Sequence, residues 1–116
     1  MTKPFLLFFI VLFSVSLEAQ VTLNIRMFIE GNYFAGNNGI MNNIGQGGCL
    51  YLNGISTNFN DVDTIQISIM DQLTYAEVES HKAILQTDGN VSSIFNSLIL
   101  GNSYFIKINH RNTLET

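Results

Sequence analysis

Asp63-Thr64-Ile65-Gln66-Ile67-Ser68-Ile69-Met70 alternates without a fault, with isoleucine at 65, 67 and 69 and Gln66, Ser68 and Met70 on the other side. In extended chain a period of two sends successive side chains to opposite faces. β-Branched residues at every inward position suit the pleated surface of a covered sheet. The stretch therefore predicts a central strand.

The same period recurs on both sides of it. Over residues 21–30, Val21, Leu23, Ile25, Met27 and Ile29 alternate with Thr22, Asn24, Arg26, Phe28 and Glu30, which predicts a half-buried first strand with some cover over its outer face at Phe28. Residues 75–85 alternate less cleanly, with Ala76, Val78, Ser80, Lys82 and Ile84 set against Glu77, Glu79, His81 and Ala83. The pattern degrades after Ser80, which predicts a bulge or an edge position. A short helix is the alternative there, disfavoured by tyrosine, valine and serine. Thr87-Asp88-Gly89-Asn90 carries the Asp-Gly signal of a tight hairpin that needs positive φ. Residues 91–95 then make the next strand, 100–103 a turn, and 104–109 the last strand. With no 3.6-residue apolar pattern after residue 20, these elements predict an all-β fold, an antiparallel β-sandwich of immunoglobulin-like or prealbumin-like kind.

Between the first and central strands the composition changes. Gly31, Gly36, Gly39, Gly45, Gly47, Gly48 and Gly54 are interleaved with asparagines over residues 31–60, residue types that tolerate left-handed backbone and close turns. A structureless loop of about 30 residues is improbable in a compact domain. Part of this insert should therefore pair as strand, and Gly48-Cys49-Leu50-Tyr51-Leu52-Asn53 is the expected part.

The N-terminus has the layout of a secretory signal peptide: Lys3, an unbroken apolar run from Phe5 to Phe13, then Ser14, Ser16, Glu18 and Ala19. A membrane span needs about 20 apolar residues, roughly twice this run. Residues 1–19 are thus expected to be removed after Ala19, leaving residues 20–116 as a single small domain with no stable membrane span and a secreted or cell-surface address. Without Lys3 and Glu18 the chain keeps four basic and eight acidic residues, still a net charge of −4. That balance argues against nucleic-acid binding, which needs a clustered basic surface. The single cysteine, Cys49, allows no intrachain disulfide. Gly47 and Gly48 beside it supply no activating base, so it reads as a small apolar residue.

Three groupings could carry chemistry. Asn58, Asn60, Asp61 and Asp63 have the alternating oxygen donors of a cation loop, but no glycine bend or terminal acid follows. They read as a solvated turn with Asp63 capping the start of the strand, and no metal is expected. Glu77 and Glu79 would share one strand face, yet no activating partner accompanies them, so they are expected to keep an edge soluble. His110-Arg111-Asn112 gathers an imidazole, a forked guanidinium and an amide. Its first expectation is to fasten the end of the last strand, and its second is to bind a partner. Among the aromatics, Tyr33, Phe34, Tyr51 and Phe59 surround the insert, and Tyr33 and Tyr51 are the candidates for a sugar-stacking platform.

Taken together, Leu23 to Gly31, Asp63 to Ile69, Tyr75 to Val78, Lys82 to Gly89 and Ser103 to Thr116 resemble an uncharacterised β-sandwich module of secreted Bacteroidota-type proteins. The resemblance implies a non-catalytic accessory unit, often followed by a calcium-binding dockerin-like repeat or a C-terminal sorting signal. It carries over no catalytic or cofactor residue and marks only His110-Arg111-Asn112. Family members continue past the Glu-Thr pair with a tryptophan and a further strand, which leads to the expectation of a truncated chain. The insert is also longer than theirs. Asp63-Thr64-Ile65 is similar to a short O-glycan attachment motif of such bacteria. The functional expectation is a secreted structural or interaction module, not an enzyme and without cofactor, with an unidentified protein or glycan as partner; the alternative is a carbohydrate-binding module that uses the insert's aromatics.

Overall fold

The computed structural model describes residues 20–33, 39–41 and 47–111. The expected signal peptide, Phe34 and Asn112 lie outside them. Among the described residues there are five strands: β1 (Val21–Arg26), β2 (Asp61–Asp71), β3 (Glu77–Gln86), β4 (Asn90–Phe95) and β5 (Tyr104–Asn109). A 3-10 helix (Glu30–Asn32) and a one-turn helix α1 (Cys49–Leu52) lie between β1 and β2. All pairing is antiparallel, with β1 on β4 in one sheet and the order β3-β2-β5 in the other. The chain is all-β in class.

β2 is central, as its isoleucines predict. Ile65, Ile67 and Ile69 are all but fully buried and lie opposite Ala83, His81 and Glu79 of β3. They share one core with Leu85 of β3, Val91 and Phe95 of β4, and Ile29, Met41 and Leu98 from the connections. Val21, Leu23 and Ile25 of β1 pack against it half-buried. Both sheets therefore turn their apolar sides to a common interior, which is where burial of apolar area stabilises the fold.

Several expectations are corrected. β1 ends at Arg26 rather than running to residue 30: the Met27 amide donates to the Gly89 carbonyl (2.9 Å), and the chain turns into the 3-10 helix. On β3 the register slips at Val78, before Ser80 rather than after it, and a matching slip on β2 falls at Val62. β3 does hold an edge position. From Glu79 onward its inward row is Glu79, His81, Ala83 and Leu85, so Glu77 and Glu79 do not form an exposed pair.

The Asp88-Gly89 turn forms, with Gly89 at φ +87°, but no hairpin does. β3 enters the turn in one sheet and β4 leaves it in the other. Asp88 closes the turn locally through the Asn90 amide (2.9 Å), while the Thr87 and Gly89 backbone groups bond Asn60, Met41 and Met27 from other segments. Positive φ alone sets the bend and not the partner of the next strand. A side chain at Gly89 would also strike the Met27 carbonyl and the Phe28 ring.

Gly48-Asn53 is not strand. Gly48 precedes α1, and the Leu52 and Asn53 amides donate to Gly48 and Cys49 carbonyls. Gly48 lies so close to the Asp61 backbone that any Cβ would collide with its carbonyl, which places α1 against the start of β2 and fixes its position by close approach.

Candidate functional site

Asp63 lies on the inward phase of β2, two residues before Ile65, and its side chain is 8 % exposed. A carboxylate in that position needs partners, because a buried charge without them is costly. It has three. His110, immediately beyond β5 and itself buried, approaches Asp63 Oδ2 with Nε2 at 2.9 Å. Arg111 donates from a terminal guanidinium nitrogen to the same oxygen at 3.0 Å, and the Thr64 amide donates to Oδ1 at 2.8 Å. Burial pushes the Asp63 carboxyl up, but the His110 hydrogen bond, the Thr64 amide and the Arg111 and His110 charges together hold it below its ordinary 3.8. An ionised carboxylate only accepts, so His110 donates from Nε2.

The expected solvated turn is thereby corrected at two positions. Asn58 and Asn60 are exposed, but Asp61 and Asp63 are buried within β2. Asp61 accepts from Ser56 Oγ and from Gln86 Nε2. Asp63 does not cap a strand end; it is the inner partner of the strand-end residues His110 and Arg111. Arg111 fastens the last strand as expected, but to β2 rather than to a loop, and Asn112 lies outside the described residues.

Arg111 divides two recesses. One, of about 460 Å³, is bordered by Glu30, Asn32, Cys49, Asp63 and His110. Cys49 is free and partly buried, with Sγ 3.9 Å from Asn32 Oδ1. The other, of about 470 Å³, is bordered by Leu50, Ile55, Thr64, Gln66, Lys82 and Asn109. Among the described residues no group of three or more His, Cys, Asp or Glu side chains is arranged to hold a metal, and no helix is long and apolar enough to cross a membrane.

The described aromatics of the insert, Tyr33, Tyr51 and Phe59, fall in two separate pairs, one of them with Phe28. Tyr33 is 42 % exposed and meets Phe28 edge-on at 5.3 Å; Tyr51 is 40 % exposed and meets Phe59 at 5.3 Å. Sequence reasoning missed a third pair that is more open. Tyr75 stacks on Phe105 with ring centroids 5.4 Å apart and planes within 4°, and Tyr75 is 67 % exposed. Tyr75 also has φ +57°, the one non-glycine residue with positive φ among the described residues, a conformation that costs about 1 kcal/mol or more. The two rings come from separate segments, so no local pattern links them.

A second carboxylate, Glu79, has partners in place of the edge-solubilising role expected of it. Glu79 accepts the Asn96 amide at 2.9 Å and the Ser97 amide at 2.8 Å, and pairs with His81 Nε2 at 2.6 Å. Burial raises its carboxyl, while His81 and the two amides outweigh that and hold it below its ordinary 4.5. Its signal, like that of Asp63, is an acid on the inward phase of a strand. No protein-family model, curated protein or solved structure matches this chain.

Proposed function

We propose that the chain is an exported, non-catalytic β-sandwich of immunoglobulin-like or prealbumin-like kind, serving as a structural or interaction module at or beyond the cell surface. The observation that carries this reading is the commitment of the His110-Arg111 element: both side chains bond Asp63 and tie the end of β5 to β2. A histidine used as a general base must reach a substrate proton, whereas His110 is buried, with 5 % of its surface exposed. The signal-peptide layout of residues 1–19 supports export, and the resemblance to secreted Bacteroidota-type accessory modules supports the same assignment.

The test is turnover. Purified residues 20–116 incubated with chromogenic glycosides, esters and peptides should release no product, and hydrolysis that disappears in Glu79→Gln or His110→Gln would overturn the reading. Export is checked separately by N-terminal sequencing of the secreted protein, which should begin at Gln20.

The second reading is a carbohydrate-binding module that uses the insert's aromatics, favoured by the two-fifths exposure of Tyr33 and Tyr51. On a glycan affinity gel, retention lost in Tyr33→Ala or Tyr51→Ala would support it.

A further inference from the structure

The register of the three-stranded sheet places a cationic, amide-rich row across its outer face. Gln66 of β2 lies opposite Lys82 of β3 on one side and Asn109 of β5 on the other. Adjacent strands are about 4.8 Å apart, so the row spans roughly 10 Å. Arg111, two residues beyond Asn109, borders the same recess as Lys82, Gln66 and Asn109. Lys107 stands on the same face, opposite Ser68. Three of the five lysines and arginines of a chain with net charge −4 thus gather on this face or at its end. The acid that borders the recess, Asp63, is buried and already paired. Arg111 gives it one bond, and its side chain is 68 % exposed.

The opposite end of the same face carries the Tyr75-Phe105 stack. Phe105 lies opposite Met70, so it shares a face with Lys107 and Asn109. From Gln66 to Met70 the strand advances about 13 Å. An elongated ligand would therefore meet cations and amides at one end, where its charged groups would sit, and at the other an open aromatic ring beside Glu77, which lies opposite Met70 and favours an uncharged part of the ligand there. Hydroxyl-rich chains are recognised by this combination of side-chain amides and stacked rings, and carboxylate or sulfate groups by lysine and arginine. An extended peptide would instead add to a sheet edge through its backbone, and the central row here is Gln66 on the middle strand.

We propose that the outer face of the β3-β2-β5 sheet binds an acidic saccharide chain, with Lys82, Gln66, Asn109 and Arg111 receiving its charged groups and the Tyr75-Phe105 stack receiving a sugar ring. This rests on the interaction-module reading and assigns it a ligand class and a face. The aromatics of the insert take no part.

The test is affinity electrophoresis of the protein recovered from expression of the full chain, in gels containing polygalacturonate, dextran sulfate, neutral dextran or polyglutamate. Retardation by polygalacturonate, by dextran sulfate or by both is expected, with little from dextran or polyglutamate, and the stronger arm identifies carboxylate or sulfate as the charged group. Lys82→Ala should weaken retardation about two- to fivefold, in line with the loss of one exposed ion pair, Lys82→Glu should abolish it, and 0.5 M salt should reduce it by screening. Lys82 is exposed on an edge strand, so these variants should fold; Tyr75→Ala tests the other end and should also weaken retardation. No retardation by either acidic polysaccharide, equal retardation by polyglutamate, or insensitivity to both Lys82 variants would overturn the proposal. Shortening of the polymer, with retardation still lost in Lys82→Glu, would leave this site standing and remove the non-catalytic reading instead.

Discussion

Two histidine–carboxylate pairs serve this fold in different ways. His110 and Asp63 are 47 residues apart and both buried, and their 2.9 Å contact extends the joining of β5 to β2 beyond the last backbone partners, Gln66 and Asn109. His81 and Glu79 are two residues apart on one strand, with His81 39 % exposed, and their 2.6 Å contact joins nothing that the backbone does not already join. What Glu79 fastens is the turn after β4, through the Asn96 and Ser97 amides, so it ties one sheet to the other. The same two functional groups thus do mechanical work through the imidazole in one case and through backbone amides in the other. Sequence separation and burial decide which partner matters.

The difference can be broken most sharply at Asp63. Removing one partner of a buried ion pair strands the others, and Asp63→Ala is expected to lower stability by about 3 kcal/mol, read from urea denaturation. Glu79→Ala strands two amides nearer solvent and should cost about 1–2 kcal/mol. His81→Ala and Arg111→Ala remove exposed members and should each cost under about 1 kcal/mol. If His81→Ala matched His110→Ala, the distinction between the two pairs would fail.

Acid sharpens the same comparison. Both carboxyls are held below their ordinary values of 3.8 and 4.5 in the folded protein, so each favours folding above its unfolded-state value. That contribution is lost as pH falls through the lower folded-state value. Asp71, held down by the Thr74 and Leu73 amides, adds in the same direction. Urea midpoints should therefore fall as pH drops below about 4.5. Asp63→Asn should flatten that fall more than Glu79→Gln does, and an identical acid limb in Asp63→Asn and the parent would show that the Asp63 network contributes nothing.

How much of this could be read beforehand depended on the range of the interaction. β2 and β5 were legible because a period of two is local, and Ile65, Ile67 and Ile69 of β2 are buried in the core with Ile108 of β5 packed against it. The Asp88-Gly89 bend was legible as a bend, but not the sheet entered after it, because Met27, Met41 and Asn60 settle that from elsewhere. Cys49–Leu52 makes a single helical turn, too short to show a helical period, and its leucines and tyrosine suited a strand equally well. The inward phase of Asp63 was visible, yet its partners were not, because a histidine 47 residues away announces itself only through folding. Likewise the outer-face row of Lys82, Gln66 and Asn109 exists only in the register of three strands.

The most direct measurement is a double-mutant cycle over Asp63→Asn and His110→Gln, followed by urea denaturation near neutral pH. A coupling of about 1.5–3 kcal/mol is expected if His110 serves to fasten β5 to β2. Additivity within about 0.5 kcal/mol, with both single variants as stable as the parent, would contradict that role and return His110 to the groups available for chemistry.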